Sequence, residues 1–126
     1  MGGAVTHFEV IGRDATMLRS FYGDLFEWNI DSDNPTNYGI VAREENLNPA
    51  GIGIGGGIGG GGGEDDGQAG HVTFYVEVPD VEAALTKAVA IGGSREMGPA
   101  KVNEHLEIGM LRDPEGHLVG VIKSTT

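Results

Sequence analysis

His7 and Glu9 stand two residues apart in AVTHFEVI, and His71, Thr73, Tyr75 and Glu77 keep that spacing in HVTFYVEV. Residues two apart on a strand share a face, so each segment gathers groups that accept, donate or move a proton. An imidazole beside a carboxylate can work as an acid–base pair. It can also be part of a catalytic metal site, which needs about three protein ligands and an open position. Glu9 and Glu77 are the candidate acid–base residues, a role that requires burial to raise the carboxyl pKa. The chain has no cysteine, which excludes disulfides, thiolate metal sites and cysteine nucleophiles. Gly-x-Ser-x-Gly and His-Glu-x-x-His are absent as well. Eight Lys and Arg face 19 Asp and Glu, a formal charge of -11. That balance argues against nucleic acid and anionic membranes as partners. Without a leader-like N-terminus or an apolar run approaching ~18 residues, the expected location is the cytoplasm.

These groups need strands to carry them, and the chain supplies the same series of elements twice. AVTHFEVI alternates as a strand, with Thr6, Phe8 and Val10 on one face and His7, Glu9 and Ile11 on the other. Asp14 is a fitting cap for the helix ATMLRSFYGDLF, since its carboxylate can accept the first-turn amide hydrogens. EWNID and TNYGIVAR read as short strands, and Phe21, Phe26 and Trp28 as core aromatics rather than a stacking platform. Shifted by 66 residues, HVTFYVEV is again a strand, and Asp80 again precedes a helix, VEAALTKAVAIGG. SREMG, HLEIGMLR and HLVGVIK follow as strands, with the turn Asp113-Pro114-Glu115-Gly116 before the last. His117 reads as a turn or strand-start residue. His105 and Glu107 share a strand face that the pattern does not assign to inside or outside. Tyr38 reads equally well as core or as site. A repeat of this length changes the expected fold more than any single motif.

From Gly51 to Gly63 the chain reads GIGIGGGIGGGGG. It matches G-x-G-x-x-G more than once, at Gly51/Gly53/Gly56 and at Gly55/Gly57/Gly60 among others, but the dinucleotide fingerprint needs a helix after it. GEDDGQAGH leads instead to a strand. The tract is read as a fourth strand over 51–58, anchored by Ile52, Ile54 and Ile58, with glycines where a ligand or another backbone comes close. Residues 59–70 then connect the halves.

The segments HFEVIGRDATMLRSFYGDLFEW, VEVPDVEAALTKAVAIGG and DPEGHLVGVIK, in this order, resemble the vicinal oxygen chelate superfamily of glyoxalases, bleomycin-resistance proteins and dioxygenases. The resemblance implies one α+β domain of two βαβββ modules, 4–58 and 71–124. Their mixed sheet would form a cup, a half-barrel, with the helices outside. It also implies a pocket lined by His7, Glu9, His71, Thr73, Tyr75, Glu77 and Gly120, with Val72, Phe74, Val76 and Val78 on the helix-packed face. An open sheet facing water shows the same alternation. In the superfamily's metal enzymes, ligands come from the first and fourth strands of each half. Here those positions fall on His7, the Gly tract, Thr73 and Gly120, so His7 alone can ligate. The implied protein therefore binds a small, partly apolar molecule without a tightly held metal, and works as a homodimer. The alternatives are a divalent-metal lyase of glyoxalase type or a dioxygenase, with His7, Glu9 and His71 as an atypical metal set, or a structural interaction module.

Overall fold

The computed structural model describes residues 2–35, 37–60 and 70–124. It divides into two compact units. The first is His7–Val72; the second is Met1–Thr6 with Thr73–Thr126. The connector expected over 59–70 falls mostly on 61–69, outside the described residues.

In chain order the elements are β1 (Val5–Gly12), α1 (Ala15–Phe26), β2 (Ile30–Asp31), β3 (Gly39–Val41), β4 (Gly55–Gly60), β5 (His71–Glu77), α2 (Val81–Ala90), β6 (Ser94–Asn103), β7 (Leu106–Arg112) and β8 (Leu118–Ser124). A 3-10 turn at Arg43–Glu45 lies between β3 and β4. Each half thus has the βαβββ order expected from the repeat.

In the first unit the strand order is β2-β3-β4-β1. β1 and β4 are parallel; the other two pairings are antiparallel. Asp14 caps α1, its Oδ1 accepting the Met17 N–H at 3.0 Å. The helix ends at Glu27, a non-glycine residue in the left-handed region at φ 59°. Val10, Val41 and Ile58 form the buried core, with Phe8, Leu18, Tyr22, Trp28 and Ile30 packed against it. Phe8 and Val10 therefore face the core, which leaves His7, Glu9 and Ile11 on the opposite face, as the alternation predicts. Two expectations fail here. Phe21 and Phe26 are 57% and 51% exposed, because α1 turns Leu18 and Tyr22 to the core instead. The fourth strand starts at Gly55, not Gly51, and Ile52 and Ile54 lie before it, exposed.

In the second unit the order is β5-β8-β7-β6, with β5 and β8 parallel. Asp80 caps α2 through the Ala83 N–H at 3.0 Å. The helix packs on β6, β7 and β8, burying Val81 and Leu85 against Val121. The Gly116 N–H donates to the Asp113 carbonyl at 2.9 Å, closing the expected turn. His117 belongs to that turn, its Nδ1 3.0 Å from Asp113 Oδ2. Among the described residues no helix is long and apolar enough to cross a membrane.

Candidate functional site

Strand register in the first unit sets the site. β1 and β4 align His7 with Gly55, Glu9 with Gly57 and Ile11 with Gly59. β3 adds Ile40 opposite Gly57. Paired residues share a face, so one face carries His7, Glu9, Ile11 and Ile40 around a floor of glycines.

Tyr38 covers that floor. A Cβ added at Gly57 would overlap the Tyr38 ring, and one at Gly59 would crowd it. On the other face, Phe8 lies in the same way on its cross-strand partner Gly56. The glycines of β4 are therefore places where aromatic rings lie flat on backbone. The main chain of Tyr38 is held by Asn34, whose Nδ2 donates to the Tyr38 carbonyl at 2.7 Å and whose Oδ1 accepts its N–H at 3.0 Å.

The Tyr38 hydroxyl donates to Glu9 Oε1 at 2.9 Å and lies 3.1 Å from His7 Nε2. A phenol has one proton. With that proton given to Glu9, the His7 Nε2–H donates to the phenol oxygen. The second oxygen of Glu9 meets His71 Nε2 at 2.9 Å. The result is one chain, His7–Tyr38–Glu9–His71, made of residues from β1, the loop before β3, and β5. It is mostly shielded, with the Glu9 side chain 12% and the His71 side chain 26% exposed. Burial holds the His7 pKa below the ordinary histidine value, and the nearby Glu9 carboxylate opposes that shift. His7 is thus neutral at pH 7, as a donor to a phenol in a protected site should be. The His7 and Tyr38 rings lie within 16° of parallel, with centroids 6.4 Å apart.

Sequence reasoning identifies three of the four members, His7, Glu9 and His71, and leaves Tyr38 undecided. The available signal was the alternating glycines themselves, which need something flat to cover them.

The second-unit candidates are placed otherwise. Thr73 is buried and its hydroxyl donates to the Leu118 carbonyl. Tyr75 is 4% exposed, with its hydroxyl 3.9 Å from Met110 Sδ. Its ring lies on Gly120, its partner in β8. Glu77 is exposed. Val72 and Phe74, expected beneath a helix, are 74% and 43% exposed, because α2 lies over β6–β8 rather than over this part of β5.

The strand positions that hold metal in the resembled enzymes do not fit a divalent ion here. The first unit offers His7 and a glycine floor under Tyr38. In the second, the Thr73 hydroxyl is committed to a carbonyl and Gly120 lies under a ring. Among the described residues no group of three or more His, Asp or Glu side chains is placed to hold a metal.

A family model described as a glyoxalase-like domain matches residues 9–122. No curated protein matches the chain by sequence. Among solved structures the chain is similar to a glyoxalase/bleomycin resistance protein/dioxygenase superfamily member from Vibrio splendidus 12B01, with TM-score 0.61 and 17% identity over 97% of this chain and 99% of that one. It is similar to a Streptomyces coelicolor methylmalonyl-CoA epimerase variant in complex with 2-nitronate-propionyl-CoA, with TM-score 0.62 and 13% identity over 100% of both chains. A methylmalonyl-CoA epimerase from Mycobacterium tuberculosis gives TM-score 0.60 and 12% identity, over 98% of this chain and 89% of that one. These likenesses show the α+β fold expected from the repeat.

Proposed function

Because the chain belongs to the glyoxalase-like domain family, we propose that it binds a small, partly apolar molecule on the His7–Glu9 face of its first unit, without a tightly held metal. The observation that carries this reading is Glu9, with one oxygen on the Tyr38 hydroxyl and the other on His71. A shielded carboxylate so supplied with donors can hold a polar group of a ligand. Ile11 and Ile40, the latter 47% exposed on the same face, give the apolar part somewhere to lie. The complex of a structural neighbour with a CoA derivative supports small-molecule binding as the use of this fold. The donor set at the strand positions supports binding without metal.

The same carboxylate, placed between two hydrogen-bond partners, is what an acid–base enzyme would need. It therefore supports a second reading, a glyoxalase-type lyase or a dioxygenase. The binding species is a cytoplasmic homodimer. The exposed stripe Met17, Phe21 and Leu25 on α1 supports self-association, and light scattering reads it directly.

One experiment separates the readings. Protein purified without chelator is assayed for metal, then screened by thermal shift against small hydroxylated and carboxylated compounds, with and without EDTA. The expected result is a ligand-dependent shift that EDTA leaves unchanged and Glu9→Gln abolishes. Stoichiometric zinc or nickel held below ~1 μM and lost in His7→Ala would give first place to the metal enzyme. A panel without any shift would favour an interaction module.

A further inference from the structure

The four-member chain contains a detail that narrows the ligand class. Glu9 Oε1 and His7 Nε2 converge on a single atom, the Tyr38 hydroxyl oxygen. One partner accepts and the other donates, which is the complement of a hydroxyl group. Below that hydroxyl's own ring are Gly57 and Gly59, where any side chain would meet the ring. Floor and polar pair together are shaped for a flat ring bearing an OH, and in this structure the protein supplies that ring from its own chain.

We propose that Tyr38 is an internal stand-in, and that the ligand of this site is a hydroxylated aromatic whose ring replaces that of Tyr38 on the Gly57–Gly59 floor and whose OH takes its place between Glu9 and His7. The proposal deepens the binding function and rests on it. The exchange requires the Tyr38 side chain to rotate out. Asn34 holds the Tyr38 main chain, and Arg19 Nη1 holds the Asn37 carbonyl at 3.2 Å, so the backbone stays in place while the ring leaves. The exchange replaces one phenolic hydrogen-bond pair with another, and no bond is made or broken. Because Tyr38 competes for the site, the apparent affinity is the intrinsic affinity scaled by the fraction of protein with the ring out.

The probes are p-cresol, which is the tyrosine side chain itself, 4-methylanisole, which lacks the donor, and toluene, which lacks the oxygen. Calorimetric titration of wild-type protein should show p-cresol binding, with both controls at least ~10-fold weaker, since neither offers Glu9 a proton. Tyr38→Ala removes the competitor and should tighten p-cresol binding by ~10-fold or more. Adding Glu9→Gln to that variant should erase the preference for p-cresol over 4-methylanisole. A readout on the unaltered site comes from wild-type protein labelled with 3-fluorotyrosine. Saturating p-cresol should move the 19F resonance of Tyr38, assigned by its loss in Tyr38→Phe. The proposal is overturned if p-cresol binds Tyr38→Ala but not wild type, since Tyr38 is then a fixed plug. It is equally overturned if toluene binds as well as p-cresol, or if the Tyr38 resonance stays still at saturation. If other small molecules give EDTA-independent shifts while phenols do not, the binding function stands and only the ligand class falls.

Discussion

Gly57→Ala tests the glycine floor directly. The backbone at Gly57 is not in the left-handed region, so alanine fits the strand there. Considered alone, the change should stabilise by ~0.5–1 kcal/mol, the usual penalty of glycine within a strand. The structure predicts the opposite sign. The new methyl would overlap the Tyr38 ring, and moving the ring strains two hydrogen bonds, one of them to Glu9. A bond to a charged group contributes ~1.5–3 kcal/mol and a neutral one ~1 kcal/mol. Their partial loss, less the alanine gain, leaves Gly57→Ala destabilised by ~1–3 kcal/mol. With Tyr38→Ala already in place the clash is gone, and the same substitution should stabilise by ~0.5–1 kcal/mol. Urea unfolding of the four proteins closes the cycle, with an expected coupling of ~1.5–4 kcal/mol. A coupling within ~0.5 kcal/mol of zero would mean that Tyr38 does not rest on Gly57, and the account of the site would fail with it.

Stability should fall as pH drops below ~6.5, because the unfolded chain protonates His7 there while the folded site, where burial lowers its pKa, resists. In urea titrations between about pH 7.5 and 5.5, His7→Gln should flatten part of this slope, and an unchanged slope would remove His7 as its source. Leu85 is fully buried between α2 and its sheet, so Leu85→Ala should cost ~3 kcal/mol in the same assay. Asp80→Ala removes the acceptor for the Ala83 N–H and should cost ~1 kcal/mol, whereas a loss under ~0.3 kcal/mol would show that the cap is dispensable.

What the sequence discloses about this chain follows the range over which each signal acts. Asp14 and Asp80 are readable as caps because capping involves only the next three residues. The β1 faces are readable because Phe8 and Val10 differ in kind from His7 and Glu9. The start of β4 is not readable, since glycine leaves no alternation to count, and Ile52 and Ile54 imitate a strand that begins only at Gly55. Phe21 and Phe26 mislead for a related reason: α1 is apolar around much of its circumference, so periodicity alone does not tell which side is covered. Tyr38 is the hardest case. Its role depends on glycines about twenty positions later and on Glu9 far earlier, and no local pattern joins them.

The repeat makes the asymmetry of the two halves informative. Glu9 and Tyr75 occupy corresponding first-strand positions, 66 residues apart, and each pairs with a fourth-strand glycine, Gly57 or Gly120. In the second unit the first-strand residue covers its own glycine. Tyr75 lies on Gly120, ends at Met110 and is almost fully buried. That arrangement buries the ring against its own strand pair. In the first unit the ring comes from the loop before β3, so the first-strand position can be a carboxylate, and the ring's hydroxyl reaches it. The same requirement, an aromatic face on a bare strand, is met from within the pair in one half and from outside it in the other. The second arrangement brings a carboxylate, an imidazole and a phenol together. The difference is one between a first-strand residue that covers its own glycine and one whose glycine is covered from a loop, although both positions share the strand alternation that first singled them out.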